Sequence, residues 1–396
     1  MKRRDAAVTA LLAGLDEAQQ RRRRRAVDGF ASAGSILEPI VDGKRLINFC
    51  SNDYLGIAGD VRLIAAMQSA ASKWGAGAGA AHLVTGHTHE HQALEEELAA
   101  FTGREAALLF STGYMANVGV ITALAARGEV VLQDRLNHAS LIDGARQSDA
   151  RLQRYDHADA VDAAWLLQAA EGKVSLVATD GVFSMDGDIA PLTQLAALAA
   201  QHDAWLLVDD AHGLGVLGAN GRGSLEQAGL DATQVPLLVG TLGKAFGSFG
   251  AFVAGSRDVI DLILQRARSY IYTTAMPPAI AATTRAVLKI VIEEGWRRER
   301  LAALITRFRN GATQCGLPLL PSTTAIQPVM LPGAARCLAA SHFLMERGFW
   351  VSAIRHPTVP AGTERLRVTI SAGHSETQID ALIDALQAAV AAAGQV

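Results

Sequence analysis

Between Leu108 and residue 255, short unbroken apolar runs alternate with stretches of helical periodicity. That alternation restricts the fold more than any other feature of the chain. The runs are Leu108–Phe110, Val130–Gln133, Ser175–Thr179, Leu206–Val208, Leu237–Gly240 and Ala251–Ala254. Between them, Tyr114–Arg127, Asp159–Ala170 and Leu192–His202 space their apolar residues as helices do. Strands apolar on both sides must be covered on both faces, so the pattern predicts an α/β fold with a mostly parallel sheet. Neither Gly-x-Gly-x-x-Gly nor the phosphate-loop spacing Gly-x-x-x-x-Gly-Lys-Ser/Thr is found where a nucleotide domain needs it.

Three segments follow from this reading. Residues 1–45 form an N-terminal part with a helix expected over 5–30, residues 46–295 a large α/β domain, and residues 296–396 a smaller C-terminal α+β domain. In the first two parts, Leu46–Phe49 reads as a short strand and a helix starts near Thr88. Pro277-Pro278 opens a helical region that runs to about Gln314. In the last part, Ala325–Met330, Trp350–Ile354 and Leu366–Ile370 read as strands, with helices over Ala334–Arg347 and Glu376–Ala391.

The 396 residues carry 36 Lys plus Arg against 39 Asp plus Glu, a balance that argues against a nucleic-acid partner. The dense basic run Arg21–Arg25 is the exception, and by itself it reads as a solvated helix face or a local anion contact. No stretch approaches the roughly 18 apolar residues of a membrane span. The three cysteines, Cys50, Cys315 and Cys337, suit neither a metal site nor a disulfide framework. A soluble, cytoplasmic protein without a membrane or nucleic-acid partner is expected.

Polar residues collect just after the apolar runs, where a doubly wound sheet places its ligand crevice. Asp209-Asp210-Ala211-His212 follows Leu206–Val208, and Thr241-Leu242-Gly243-Lys244 follows Leu237–Gly240. Asp180 and Ser184 follow Ser175–Thr179, and His138 lies beyond Val130–Gln133. A lysine amine can hold an aldehyde as a Schiff base, and a buried carboxylate can keep a pyridine nitrogen protonated. Lys244 and Asp209 therefore point to pyridoxal 5'-phosphate. The His138 imidazole suits stacking on the ring, while Ser184 and His212 suit its phenolic oxygen. Gly113 and Tyr114, at the strand-to-helix change Ser111–Asn117, offer backbone amides to a phosphate, and Thr241 a hydroxyl. Arg365 and Arg367 share one face by period two, and either can take a substrate carboxylate.

With these residues in place, the chain closely resembles the α-oxoamine synthases over nearly its whole length. The resemblance rests on Ser51–Gly56, Glu90–Glu95, Asp134–Ser140, Gly181–Asp188, Asp209–Gly213, Thr241–Lys244 and Pro357–Thr363. It implies the fold-type I pyridoxal phosphate transferase architecture, with a seven-stranded, mostly parallel sheet, and a homodimer with shared active sites. It implies Lys244 as the cofactor lysine, Asp209 at the pyridine nitrogen, His138 on the ring, and His212 and Ser184 at the phenolic side. Gly113, Tyr114 and Thr241 map to the phosphate, with Thr273 and Thr274 reaching it from the other subunit. Arg367 maps to the amino-acid carboxylate, and Arg24 or a neighbour in the run to the distal carboxylate of an acyl substrate.

The likeness is greatest to the branch that condenses L-alanine with a pimeloyl thioester, on CoA or acyl carrier protein, in biotin biosynthesis. Other branches use glycine or serine with different acyl-CoA thioesters, and some relatives are catalytically silent interaction subunits. Two departures stand out. Asp180 replaces the usual Glu, and the loop Gly75–His82 carries alanines where relatives often have serine or glycine.

Overall fold

The computed structural model describes residues 2–394. Two compact units emerge, and they do not follow chain order. One comprises residues 52–184 and 188–299; the other comprises 1–51, 185–187 and 300–396.

The larger unit is built on seven strands: β1 (Ala106–Phe110), β2 (Val130–Asp134), β3 (Arg151–Tyr155), β4 (Val174–Asp180), β5 (Trp205–Asp209), β6 (Leu237–Thr241) and β7 (Ala251–Gly255). Their order across the sheet is β1-β7-β6-β5-β4-β2-β3. Pairing is parallel from β6 to β3, and β7 runs antiparallel to both neighbours. Each of the six apolar runs became a strand. They are buried because helices pack on both faces. Val120, Ile121, Leu141 and Ile263 cover one face, and Ala163, Leu167, Leu195 and Ala199 the other.

The strand of the larger unit that sequence reasoning passed over is β3. Its sequence, Arg-Leu-Gln-Arg-Tyr, has no continuous apolar run because β3 lies at the sheet edge and is mostly exposed or half-buried. Charged side chains on an edge strand discourage pairing with another chain. The helical region after Pro277 is two helices, Pro278–Glu293 and Trp296–Gln314, separated at Glu294-Gly295.

In the smaller unit, Arg365–Thr369 is the central strand, with Ile326–Met330 and Ser352–Ile354 antiparallel on either side. The expected strand Trp350–Ile354 is split. Phe349–Trp350 pairs in parallel with Ile47–Asn48, and Ser352–Ile354 belongs to the other sheet. The expected helix over 5–30 stops early, at Glu17. Gln19 adopts φ 55°, a left-handed turn that ends helical propagation, and Arg21–Arg25 continue without regular structure. Five adjacent cations repel one another less along such an open path than on one helix. Among the described residues, no helix is long and apolar enough to cross a membrane.

Candidate active site

The carboxyl ends of β4, β5 and β6 bring the polar residues of the larger unit together. β5 ends in Asp209, which the sheet register sets beside Asp180 of β4 and Val239 of β6. Asp209 is buried, and each of its oxygens accepts a hydrogen bond. Asn117 Nδ2 donates to Oδ2 at 2.6 Å, and the Ala211 amide donates to Oδ1 at 3.0 Å. Asn117 projects from the helix Gly113–Leu124 and also donates to Ser140 Oγ at 2.9 Å. This brace aims the carboxylate, and no role for Asn117 was read from the sequence, although it closes the Ser111–Asn117 segment.

Lys244 Nζ lies 2.7 Å from His212 Nε2. The other ring nitrogen of His212 lies 2.6 Å from the hydroxyl of Tyr54, a fully buried side chain. Tyr54 is thus a second residue without a sequence-derived role. Lysine, histidine and tyrosine form one continuous hydrogen-bonded row.

His138 caps the helix Ala139–Gln147, with Nδ1 2.7 Å from Ser140 Oγ. Its amide donates to Asp180 Oδ2 at 2.6 Å, so the shortened acid at position 180 fixes the backbone that carries the ring. Burial pushes the Asp180 carboxyl well above the usual range, and the neighbouring charge of Asp209 adds to it. The His138 ring remains accessible to solvent. Even so, surrounding protein lowers its pKa, with Asp209 opposing and Lys244 reinforcing that shift.

At the end of β1, Thr112 caps the helix Gly113–Leu124 by accepting from Met115 N at 3.2 Å. The first amides of that helix, on Gly113 and Tyr114, have no intrahelical acceptor. A side chain built on Gly113 would meet nothing within 4 Å, so space lies open before the helix start. The Thr241 hydroxyl donates to Gly250 O at 3.2 Å and lies 3.4 Å from Gly243 N, shaping the lysine loop. Ser184 is half-buried in the loop after β4. Thr273 is half-buried and Thr274 exposed, after the short helix Arg268–Ile271.

A flat pyridinium bearing an aldehyde and a phosphate requires a carboxylate, a primary amine and helix-start donors. Asp209, Lys244 and the amides at Gly113 and Tyr114 are that donor set. The residues fit the group.

Three histidines, His82, His87 and His91, lie close enough together to suggest a metal site. His91 Nδ1 accepts from the Thr88 amide at 3.0 Å, which leaves Nε2 to donate to Met276 O at 2.8 Å. Both nitrogens are thereby used, and His91 has no lone pair for an ion.

The smaller unit holds the arginines. A pocket of about 820 Å³ is lined by Arg21–Arg25, Arg355, His342 and His356, with no acidic residue in its wall. Within the run, Arg21 and Arg23 pair with Asp16 at 2.5 and 3.4 Å, Arg25 lies 4.0 Å from Asp42, and Arg22 donates to Thr358 Oγ1. Arg24 makes no ion pair among the described residues. The structure also separates Arg365 from Arg367. Arg365 is committed to Asp186 at 2.5 Å, whereas Arg367, equally buried, donates to Thr369 Oγ1 at 3.1 Å.

Residues 44–386 match the model of the aminotransferase class I and II family. An 8-amino-7-oxononanoate synthase of Thioalkalivibrio sulfidiphilus is 59% identical over 92% of both chains. One of Cellvibrio japonicus is 56% identical over 95% of this chain and 94% of its own. The chain belongs to the 8-amino-7-oxononanoate synthase family. Solved structures agree with the fold. A serine palmitoyltransferase from S. paucimobilis, with PLP-myriocin bound, superposes with a TM-score of 0.92 at 33% identity over 98% of both chains. An 8-amino-7-oxononanoate synthase from Francisella tularensis gives 0.76 at 32% identity, over 88% of this chain and 98% of its own. For a synthase of this family, the change of Glu to Asp180 keeps a carboxylate on the His138 amide.

Proposed function

We propose that this protein catalyses the pyridoxal phosphate-dependent, decarboxylative condensation of L-alanine with a pimeloyl thioester. The products are 8-amino-7-oxononanoate, carbon dioxide and a free thiol. The observation that carries this reading is the row Lys244–His212–Tyr54 beside the braced Asp209. Identity of 55–59% to synthases named for this product supports the same substrates.

When bound, the cofactor supplies an aldehyde that holds the amino substrate and a ring that draws electrons from its Cα. Asp209 keeps the proton on the pyridine nitrogen, because a carboxylate braced by two donors stabilises a facing cation. Lys244 Nζ moves the proton at alanine Cα, and His212 receives or returns a proton at that amine through its 2.7 Å contact. His212 also donates to the acyl oxygen as the new carbon–carbon bond forms. His138 would stack on the ring of the bound cofactor. Ser184 would donate to its phenolic oxygen. The amides of Gly113 and Tyr114, with Thr241, would hold its phosphate.

Arg367 binds the alanine carboxylate. Among the described residues Arg22 and Arg24 both lack an acidic partner; Arg22 donates to Thr358 Oγ1, and Arg24 binds the distal carboxylate of the pimeloyl chain. The protein acts as a cytoplasmic homodimer, Thr273 and Thr274 contributing to the phosphate site of the partner.

Purified holoenzyme should release 8-amino-7-oxononanoate, identified by mass, from L-alanine with pimeloyl-CoA or pimeloyl-acyl carrier protein. Parallel reactions with glycine and L-serine, each offered other acyl-CoA thioesters, provide the comparison. Turnover of glycine or serine with none of alanine would overturn the substrate assignment.

A further inference from the structure

His157, just beyond β3, has a carboxylate on each ring nitrogen. Nδ1 lies 3.0 Å from Asp134 Oδ1 and Nε2 lies 3.0 Å from Asp188 Oδ2. Phe183 meets the ring edge-on at 4.4 Å. Both nitrogens must donate for both acids to be satisfied, and only the imidazolium can do this. Burial opposes that charge, yet the two carboxylates outweigh it and raise the pKa to about 10.

What the two acids hold matters more than the pair of bonds. Asp134 is fully buried at the end of β2, and it also accepts from Leu136 N and Ala158 N, each at 2.7 Å. It thereby shapes the turn that leads into His138. Asp188 closes the loop after β4, where its carbonyl accepts from Phe183 N at 3.0 Å and Val182 bridges Ile189. Since β4, β2 and β3 are adjacent in the sheet, one imidazolium ties together the loops leaving three neighbouring strand ends.

We propose that His157 is a positioning residue, which locks the turn from Asp134 to His138 against the loop closed by Asp188 and so fixes the orientation of the His138 ring. This rests on the reading of His138 as the residue that lies on the cofactor ring, and it assigns the support for that ring to a side chain outside the site.

The test compares His157→Gln and Asp188→Ala with wild type. An amide can serve only one of the two acids, and Asp188 is accessible enough for its removal to be tolerated. In cofactor-free protein, hydrogen exchange at the amides of residues 136–138 should quicken about tenfold, the effect of losing one charge-assisted hydrogen bond. Pyridoxal phosphate should bind about tenfold more weakly in both variants, with an altered visible circular dichroism of the bound form. A residue that only stabilised the fold would lower the melting temperature and leave that dichroism alone. Wild-type exchange in both variants would overturn the proposal. Faster exchange with unchanged cofactor affinity and dichroism would uphold the lock and instead remove His138 from the ring. Should His157→Gln fail to fold, Asp188→Ala alone decides between these results.

Discussion

The amine of Lys244 and the imidazole of His212 lie 2.7 Å apart, and the far nitrogen of that imidazole meets Tyr54 at 2.6 Å. The imidazole has one proton to place when neutral. If Tyr54 donates to Nδ1, Nε2 carries the hydrogen and faces a neutral amine; if Nδ1 donates to Tyr54, Nε2 accepts from the ammonium. The phenol therefore biases the proton inventory of the lysine without touching it. Tyr54→Phe should fold and bind cofactor, yet lose about tenfold or more in kcat, since positioned proton transfer is worth about 10²–10⁴-fold. Steady-state kinetics would check this, and an unchanged kcat would remove Tyr54 from the row.

Asp209→Asn separates charge from shape. The amide is nearly isosteric, but its nitrogen would face either Asn117 Nδ2 or the Ala211 amide, both donors. A neutral group also cannot hold a proton on the facing ring nitrogen. The variant should take up pyridoxal phosphate and lose roughly 10²–10³-fold in kcat, the scale of a lost electrostatic contact at a reacting centre. Absorbance titration and turnover measured on one preparation would check it. Turnover within twofold of wild type is incompatible with the assigned role.

Glu95 makes stability depend on pH with a definite sign. It is buried in the helix His89–Thr102 and accepts from Leu109 N at 2.9 Å. Burial raises its pKa from 4.5 to about 8, with that hydrogen bond partly opposing the shift. The unfolded chain therefore loses this proton first. The contribution is fully present below pH 4.5 and is lost as pH rises through about 8. Asp210, pushed to about 7 by burial, acts in the same direction. Glu95→Gln keeps the acceptor and removes the titration. Its melting temperature should fall less than that of wild type between about pH 5 and pH 9. Equal slopes in the two proteins would refute the assignment.

The strand ends of the larger unit were legible because each is announced by a buried apolar run, and the sheet converts that order into proximity. Asp209, His212 and Lys244 each follow such a run in the chain, and the structure sets Lys244 against His212. What stayed hidden lacked such a signal. β3 hides because an edge strand need not be apolar. Tyr54 and Asn117 act through other side chains, and their partners lie 158 and 92 residues away. The arginine run was misread as a helix because composition reports propensity and not the left-handed turn at Gln19. Arg365 and Arg367 were indistinguishable by period two, and the structure shows Arg365 paired with Asp186 and Arg367 donating to Thr369.

That last distinction, with its counterpart in the arginine run, yields a paired prediction. Arg24 and Arg21 are both exposed or half-exposed cations in one pocket wall, but Arg21 is already neutralised by Asp16 at 2.5 Å. Removing Arg24 should leave the distal carboxylate of the acyl chain without its partner. Loss of a hydrogen bond to a charged group costs about 1.5–3 kcal/mol, or roughly ten- to a hundredfold in KM for the pimeloyl thioester. KM for alanine should stay put. Arg21→Ala should change neither constant by more than about twofold, because exposed ion pairs contribute little. Arg367→Ala should show the reverse pattern, with a raised KM for alanine and an unaltered KM for the thioester. Steady-state kinetics with each substrate varied in turn separates the three. If Arg21→Ala and Arg24→Ala raised the thioester KM equally, the run would act as a diffuse positive field and not through one side chain.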